Sequence, residues 1–187
     1  MRIGIDIDDV ITDTSLTMKD YIEKYDKNGE ILEHVEEVIR GDMPTPGIKK
    51  FFADNSIKIF GSVKLKIDVS RVTKNFLNAG HEIFLITTRG DVKFKGSEKL
   101  TIEYLKNNDV SYTKILFNSF DKAKVCRENH IDIMVDDSVK YCKEISNENI
   151  KSVLFTSEIN KLVDVDIQRV NSWRELEKII NKENLHV

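Results

Sequence analysis

Asp6-Ile7-Asp8-Asp9, Thr87-Thr88-Arg89, Lys122 and Asp136-Asp137 are the residues of this chain whose types suit chemistry on an anion. Gathered at one place, Asp6, Asp8, Asp136 and Asp137 would crowd more negative charge than a partly dry site can keep ionised without compensation. A divalent cation supplies that compensation, and hard carboxylate oxygens in an open site suit Mg²⁺. A lysine in the first turn of a helix opposes the positive end of the helix dipole, so Lys122 is best explained by an anion close by, such as a phosphate. Lys124 is the competing candidate. Thr87 ends an apolar run with a hydroxyl and a backbone N–H, and both can donate to a phosphoryl oxygen as charge builds on it. Thr88 can exchange roles with Thr87, and Arg89 can either touch substrate or pair with an acid. Each residue also has an ordinary reading. Asp9 or Asp137 can cap a helix or sit solvated in a loop, Lys122 can be an exposed lysine, and Thr87 can close a turn.

The elements that must position these residues follow from periodicity. Arg2–Asp8 is a short apolar run ending in acids and reads as a buried parallel strand. Asp13 or Thr14 can cap a helix running to about Lys27, and a second amphipathic helix is expected over Ile31–Arg40. Both prolines fall in Met43–Gly47, a clear break. A helix over Gly47–Ala53 follows, with a further short one to Phe60. Beyond residue 65 the pattern alternates. Helices are expected over Asp68–Ala79, Ser97–Asn108, Ser119–Asn129, Ser138–Ser146 and Ser172–Asn181, and strands over Glu82–Thr87, Lys114–Phe117, Ile131–Val135 and Lys151–Phe155. Such alternation predicts an α/β fold, a Rossmann-like doubly wound parallel sheet with helices on both faces. In open sheets of this kind ligands sit outside the carboxyl ends of the strands. The acids of the first and fourth strands, the threonines of the second and Lys122 can all meet there.

With 187 residues, 40% of them hydrophobic, the chain can bury a proper core without disulfides or metal staples. A formal charge of −3 argues against a nucleic-acid polymer as partner. No apolar run reaches the ~20 residues of a membrane helix, and acids interrupt the N-terminus too early for a signal peptide. Cys126 and Cys142 show no metal-like spacing and read as free thiols in a reducing cytoplasm. His34, His81, His130 and His186 have no ligand spacing and read as surface or turn residues.

The order of these clusters resembles the haloacid dehalogenase (HAD) superfamily. Asp6-Ile7-Asp8-Asp9-Val10-Ile11 resembles its motif I, Asp-x-Asp-x-(Val/Thr), while Thr87 looks like motif II, Lys122 like motif III and Asp136-Asp137 like motif IV. The resemblance covers residues 1–14 and 66–187, which are expected to form the α/β core, with 15–65 as a small helical cap inserted after the first strand. A cap directly after motif I is similar to the 5′(3′)-deoxyribonucleotidase (5′-nucleotidase type C) branch. The resemblance implies a Mg²⁺-dependent phosphatase, favouring a nucleoside monophosphate among small phosphorylated metabolites. It implies that Asp6 attacks phosphorus to form an aspartyl phosphate, and that Asp8 protonates the leaving alcohol and then activates water. Mg²⁺ would be held by the Asp6 carboxylate, the Asp8 carbonyl and Asp136. Asp137 would hold metal waters or orient Lys122. Lys122 and Thr87 would clamp the phosphoryl group.

The insert then serves as a gate that excludes water and selects the leaving group. Phe51, Phe52 and Phe60 can line a slot for a base, or form the core of the insert itself. Three other functions compete: a sugar-phosphate or other metabolite phosphatase of the same fold, a receiver-like signalling domain with its own acid–Thr–Lys site, and a catalytically idle binding protein.

Overall fold

The computed structural model describes residues 1–26, 46–92 and 95–183. Six parallel strands lie in the order β3-β2-β1-β4-β5-β6: β1 Arg2–Ile5, β2 Glu82–Ile86, β3 Lys114–Leu116, β4 Ile133–Asp136, β5 Lys151–Phe155 and β6 Arg169–Val170. The described helices are α1 Thr14–Tyr25, α2 Pro46–Gly61, α3 Val69–Asn78, α4 Ser97–Asn107, α5 Lys122–Glu128, α6 Val139–Asn147 and α7 Trp173–Glu183.

Alternation along the strands makes the layers, since successive side chains point to opposite faces. Ile83 and Leu85 of β2, with Ile133 and Val135 of β4, join α3, α4 and α7 in one core. Phe84, Ile86 and Met134 join α5 and α6 in a second core on the other face. Gly4 of β1 lies on this second face. A Cβ there would come 2.6 Å from Met134 Sδ, so the Met134 side chain fills the space that glycine leaves. The doubly wound expectation therefore holds. The strand order reverses at β1 and β4, where Ile5 pairs with Val135, and a ligand crevice opens at such a switch point. This order differs from the 2-1-3-4-5 order of receiver-type sheets, which removes the signalling-domain reading.

Several boundaries differ from expectation. β1 ends at Ile5, not Asp8, so Asp6 and Asp8 stand on a loop. The two short helices expected around Gly47–Phe60 are one 16-residue helix that begins at Pro46. Proline is at home in a first turn, where its missing N–H costs nothing. Ser119 does not cap α5. Its hydroxyl donates to the Leu116 carbonyl (3.0 Å), and Asp121 caps instead, accepting from the Lys124 N–H. β6 was not expected; two residues are too few to carry a period. His81 is buried against Phe76, not at the surface. The helix expected over Ile31–Arg40, His34 and His186 lie outside the described residues, as does the Phe52 side chain.

Candidate active site

The loop after β1 is held from beneath. Ile7, Val10 and Ile11 are fully buried. The Ile11 N–H returns to the Ile7 carbonyl (3.0 Å), and the Trp173 indole donates to the Val10 carbonyl (2.8 Å). Asp6 precedes these anchors, and Asp8 and Asp9 lie between them. The Asp6 N–H donates to the Val135 carbonyl at 2.9 Å, which ties the loop to the end of β4. Asp9 adopts a left-handed φ of 58° and accepts from the Ser15 N–H (2.9 Å) and hydroxyl. It thus does the capping of α1 expected of Asp13 or Thr14. Asp13 pairs with Lys66, and the Thr14 hydroxyl donates to Asp8 (2.7 Å).

Lys122 is 1% exposed and lies 2.8 Å from Asp6 Oδ1 and 2.6 Å from Asp136 Oδ2. The anions that justify a lysine in this first turn thus include two of the chain's own carboxylates. Tyr141 of α6 covers the ammonium, its ring centroid 4.8 Å away. Burial opposes the lysine's charge, but Asp136 and Asp6 outweigh it and hold its pKa above the ordinary value. Lys124 is exposed and faces Glu128, so the choice between the two lysines falls to Lys122.

Asp136 is fully buried. One of its oxygens takes Lys122 and the other accepts from the Ser138 N–H at 2.8 Å. Asp137 is half-buried, and its carboxylate accepts no hydrogen bond from the described residues. Burial first, then Asp136 and Asp6, push its pKa well above the usual carboxyl range. Burial likewise pushes Asp6 up to about 7, with Lys122 acting against it and Asp136 adding to it. One lysine shared by two carboxylates leaves the third uncompensated. Asp6, Asp136 and Asp137 each offer a carboxylate oxygen within 4.8 Å of the others. This all-oxygen, charge-excess donor set fits Mg²⁺.

Thr87 is fully buried at the end of β2. The sequence offered its N–H to a ligand as well, but that N–H donates to the Leu116 carbonyl at 3.1 Å. Its hydroxyl accepts from the Arg89 N–H (3.1 Å), which leaves the hydroxyl hydrogen to donate. Thr88 follows, half-buried. Of the two roles open to Arg89, pairing with an acid is the one seen. Nη2 lies 2.6 Å from Asp8 Oδ1 and Nε 3.0 Å from Oδ2. Burial works against the Asp8 charge, but Arg89 holds its carboxyl below the ordinary value.

The sequence reading missed Thr14 and Tyr141 as neighbours of the site. Tyr141 stands one helical turn beyond Ser138, a spacing with no chemical signature of its own. In the insert, Phe51 packs edge-on to Tyr21 at 6.1 Å, and Phe60 stacks on Arg89. Among the described residues, no helix is long and apolar enough to cross a membrane.

Comparison with known proteins places the chain by family and by fold. The family described as 5′ nucleotidase, deoxy (pyrimidine), cytosolic type C protein matches residues 1–185. A protein described as a predicted phosphatase from Clostridium acetobutylicum superposes with a TM-score of 0.69 at 15% identity, over 97% of this chain and 98% of that one. A haloacid dehalogenase-like family protein from Streptococcus pneumoniae gives 0.67 at 11% identity, over 96% and 97%. A HAD-superfamily hydrolase of subfamily IA from Geobacter sulfurreducens gives 0.61 at 12%, over 96% and 95%. At these identities the likeness is one of fold. No curated protein sequence matches.

Proposed function

The chain belongs to the cytosolic type C family of deoxy (pyrimidine) 5′-nucleotidases, and from that membership we propose that it is a Mg²⁺-dependent 5′-nucleotidase working through an aspartyl phosphate. That it is a phosphatase of the HAD type follows from the family and the fold. The observation that carries the finer reading is the trio of Asp6, Asp136 and Asp137 oxygens within 4.8 Å, with a single lysine to balance them.

In this reading the Asp6 carboxylate attacks phosphorus, and Lys122 fixes its orientation while drawing charge from the phosphoryl oxygens. The Thr87 hydroxyl donates to a phosphoryl oxygen. Asp8 gives a proton to the departing alcohol and later takes one from the water that cleaves the acyl phosphate. Asp6, Asp137 and the Asp8 carbonyl would hold the metal. Asp136 is better used as the residue that positions Lys122, because both of its oxygens are already engaged by Lys122 and Ser138. This assignment reverses the parts that the sequence reading gave to Asp136 and Asp137. Bound Mg²⁺ supplies charge neutralisation and alignment of the phosphoryl group. Residues 15–65 act as the cap over the site, residues 1–14 and 66–187 as the core, and the small substrate is a nucleoside monophosphate. Two buried, unpaired thiols support a cytoplasmic setting.

The test is a phosphomonoester panel with and without EDTA, run beside Asp6→Asn. Preference for nucleoside 5′-monophosphates by at least about tenfold over sugar phosphates, a ratio worth ~1.4 kcal/mol, supports the nucleotidase. A sugar phosphate in first place moves the substrate to another metabolite class. Turnover surviving in Asp6→Asn or in EDTA sinks the mechanism.

A further inference from the structure

Arg89 is 5% exposed, and among the described residues Asp8 is the carboxylate it pairs with, while Nη2 also lies 3.5 Å from the Thr14 hydroxyl. Its fork meets both oxygens of Asp8, with Nη2 2.6 Å from Oδ1 and Nε 3.0 Å from Oδ2. Such two-point contact fixes the plane of a carboxylate, which a lysine cannot do. The Arg89 backbone is pinned as well. Its N–H donates to Thr87 Oγ1 (3.1 Å), and its carbonyl accepts from the Asn118 N–H (2.7 Å). Gly90 follows because a Cβ there would lie 2.0 Å from Asn118 Oδ1. From the other side the guanidinium stacks on Phe60 of α2, with Cζ 4.8 Å from the ring centroid.

The two oxygens of Asp8 are not equivalent in this cage. Oδ1 accepts from Thr14 (2.7 Å), from Arg89 Nη2 (2.6 Å) and, more distantly, from Nε (3.2 Å). Its lone pairs are taken. Among the described residues, Oδ2 accepts only the shared Nε bond at 3.0 Å and keeps a lone pair for exchange.

We propose that Arg89 is a positioning residue that makes Oδ2 the oxygen through which Asp8 hands a proton to the leaving group, and that Phe60 of α2 holds Arg89 in this pose. The inference rests on the reading of Asp8 as the acid. Asp8 first takes up a proton from solvent at Oδ2, the oxygen with a lone pair to spare; as the bond from phosphorus to the leaving oxygen breaks, that oxygen takes this proton, the O–H bond at Oδ2 gives way, and the restored carboxylate lies in the Arg89 fork. Phe60 belongs to the insert, so the insert bears on the chemical step as well as on access.

The experiment measures kcat/KM, which reports phosphoryl transfer to the enzyme, over a graded series of alkyl and aryl phosphates. A p-nitrophenolate departs without a proton, whereas an alkoxide needs one. In Arg89→Lys, kcat/KM is expected to fall about 100-fold for alkyl phosphates, the low end of general-acid effects, and less than about 3-fold for p-nitrophenyl phosphate. Phe60→Leu should show the same steepening at about 5-fold, which keeps the test decisive should Arg89→Lys fold poorly. A uniform loss across the series in both variants, beside a steep dependence in Asp8→Asn, overturns the role of Arg89 and spares that of Asp8. A flat dependence in Asp8→Asn overturns the acid assignment itself, and with it this inference.

Discussion

Two buried cations serve this site, and they differ in arithmetic. Arg89 faces one carboxylate with two contacts, so charge and hydrogen bonds balance within the pair. Lys122 divides one charge between Asp6 and Asp136, while Asp137 stands beside them without a bonded cation among the described residues. A balanced pair is a fixture that needs nothing further. An overdrawn cluster has an appetite for positive charge, and burial sharpens it by removing solvent. The metal is therefore expected on the Lys122 side of the loop, and the geometric control of proton transfer on the Arg89 side.

The comparison breaks most sharply at Asp6. Asp6→Asn preserves shape but removes both the nucleophile and a metal ligand, and should lower kcat by at least about 10³-fold on any phosphomonoester. Retained turnover in a discontinuous phosphate assay would move the nucleophile elsewhere. Next comes Lys122→Met, which leaves two buried carboxylates without their cation. Urea unfolding in EDTA should show a loss of about 3–5 kcal/mol. A loss under ~1 kcal/mol would mean that the acids are neutral without it.

Metal removal sharpens the contrast through pH. Asp6 is raised to about 7 from 3.8, and Asp137 is raised too. Each is protonated more readily in the folded chain than in the unfolded one, so the stabilisation from Asp6 is complete below 3.8 and drains away as pH climbs through about 7, and that from Asp137 is likewise lost as pH rises. In EDTA the melting temperature should fall between about pH 5 and 8. Mg²⁺ at about one hundred times its dissociation constant should return ~2.7 kcal/mol at the upper end. A melting temperature that is flat with pH and indifferent to Mg²⁺ would contradict the overdrawn cluster.

The smallest effect expected is at Trp173, whose indole ties α7 to the acid loop through the Val10 carbonyl at 2.8 Å. Trp173→Phe leaves that carbonyl unpaired and should cost about 1–3 kcal/mol in urea unfolding. Because both cation pairs hang on the same loop, kcat/KM should fall alike for alkyl and aryl phosphates. A selective loss for one class would show that the loop serves the two pairs unequally.

Much of this architecture is legible along the chain, for reasons that are local. Residues 83–86 and 153–155 are buried on both faces and read as unbroken apolar runs. Parallel strands put their polar terminal residues at one edge, so Asp6, Thr87 and Asp136 could be expected to meet without knowing the strand order. Where local signals compete, the reading slips. Ser119 and Asp121 are both good caps, and only the turn after β3 selects Asp121. Pro46 reads as a breaker or as a helix start, and only the continuous helix behind it selects the second.

By itself the sequence determined that acids, a threonine and a lysine stand at strand and helix ends of an alternating α/β chain, because element type and direction depend on near neighbours. Only the tertiary structure decided the partnerships: Arg89 with Asp8, 81 residues apart, and Lys122 with Asp6 as well as with Asp136. It also separated Asp136, with both oxygens spent, from Asp137, whose carboxylate accepts no such bond from the described residues. These choices turn on ångström distances between distant segments and on which carboxylates lose their water. Both are set when the sheet closes its crevice between β1 and β4, and no spacing along the chain encodes them.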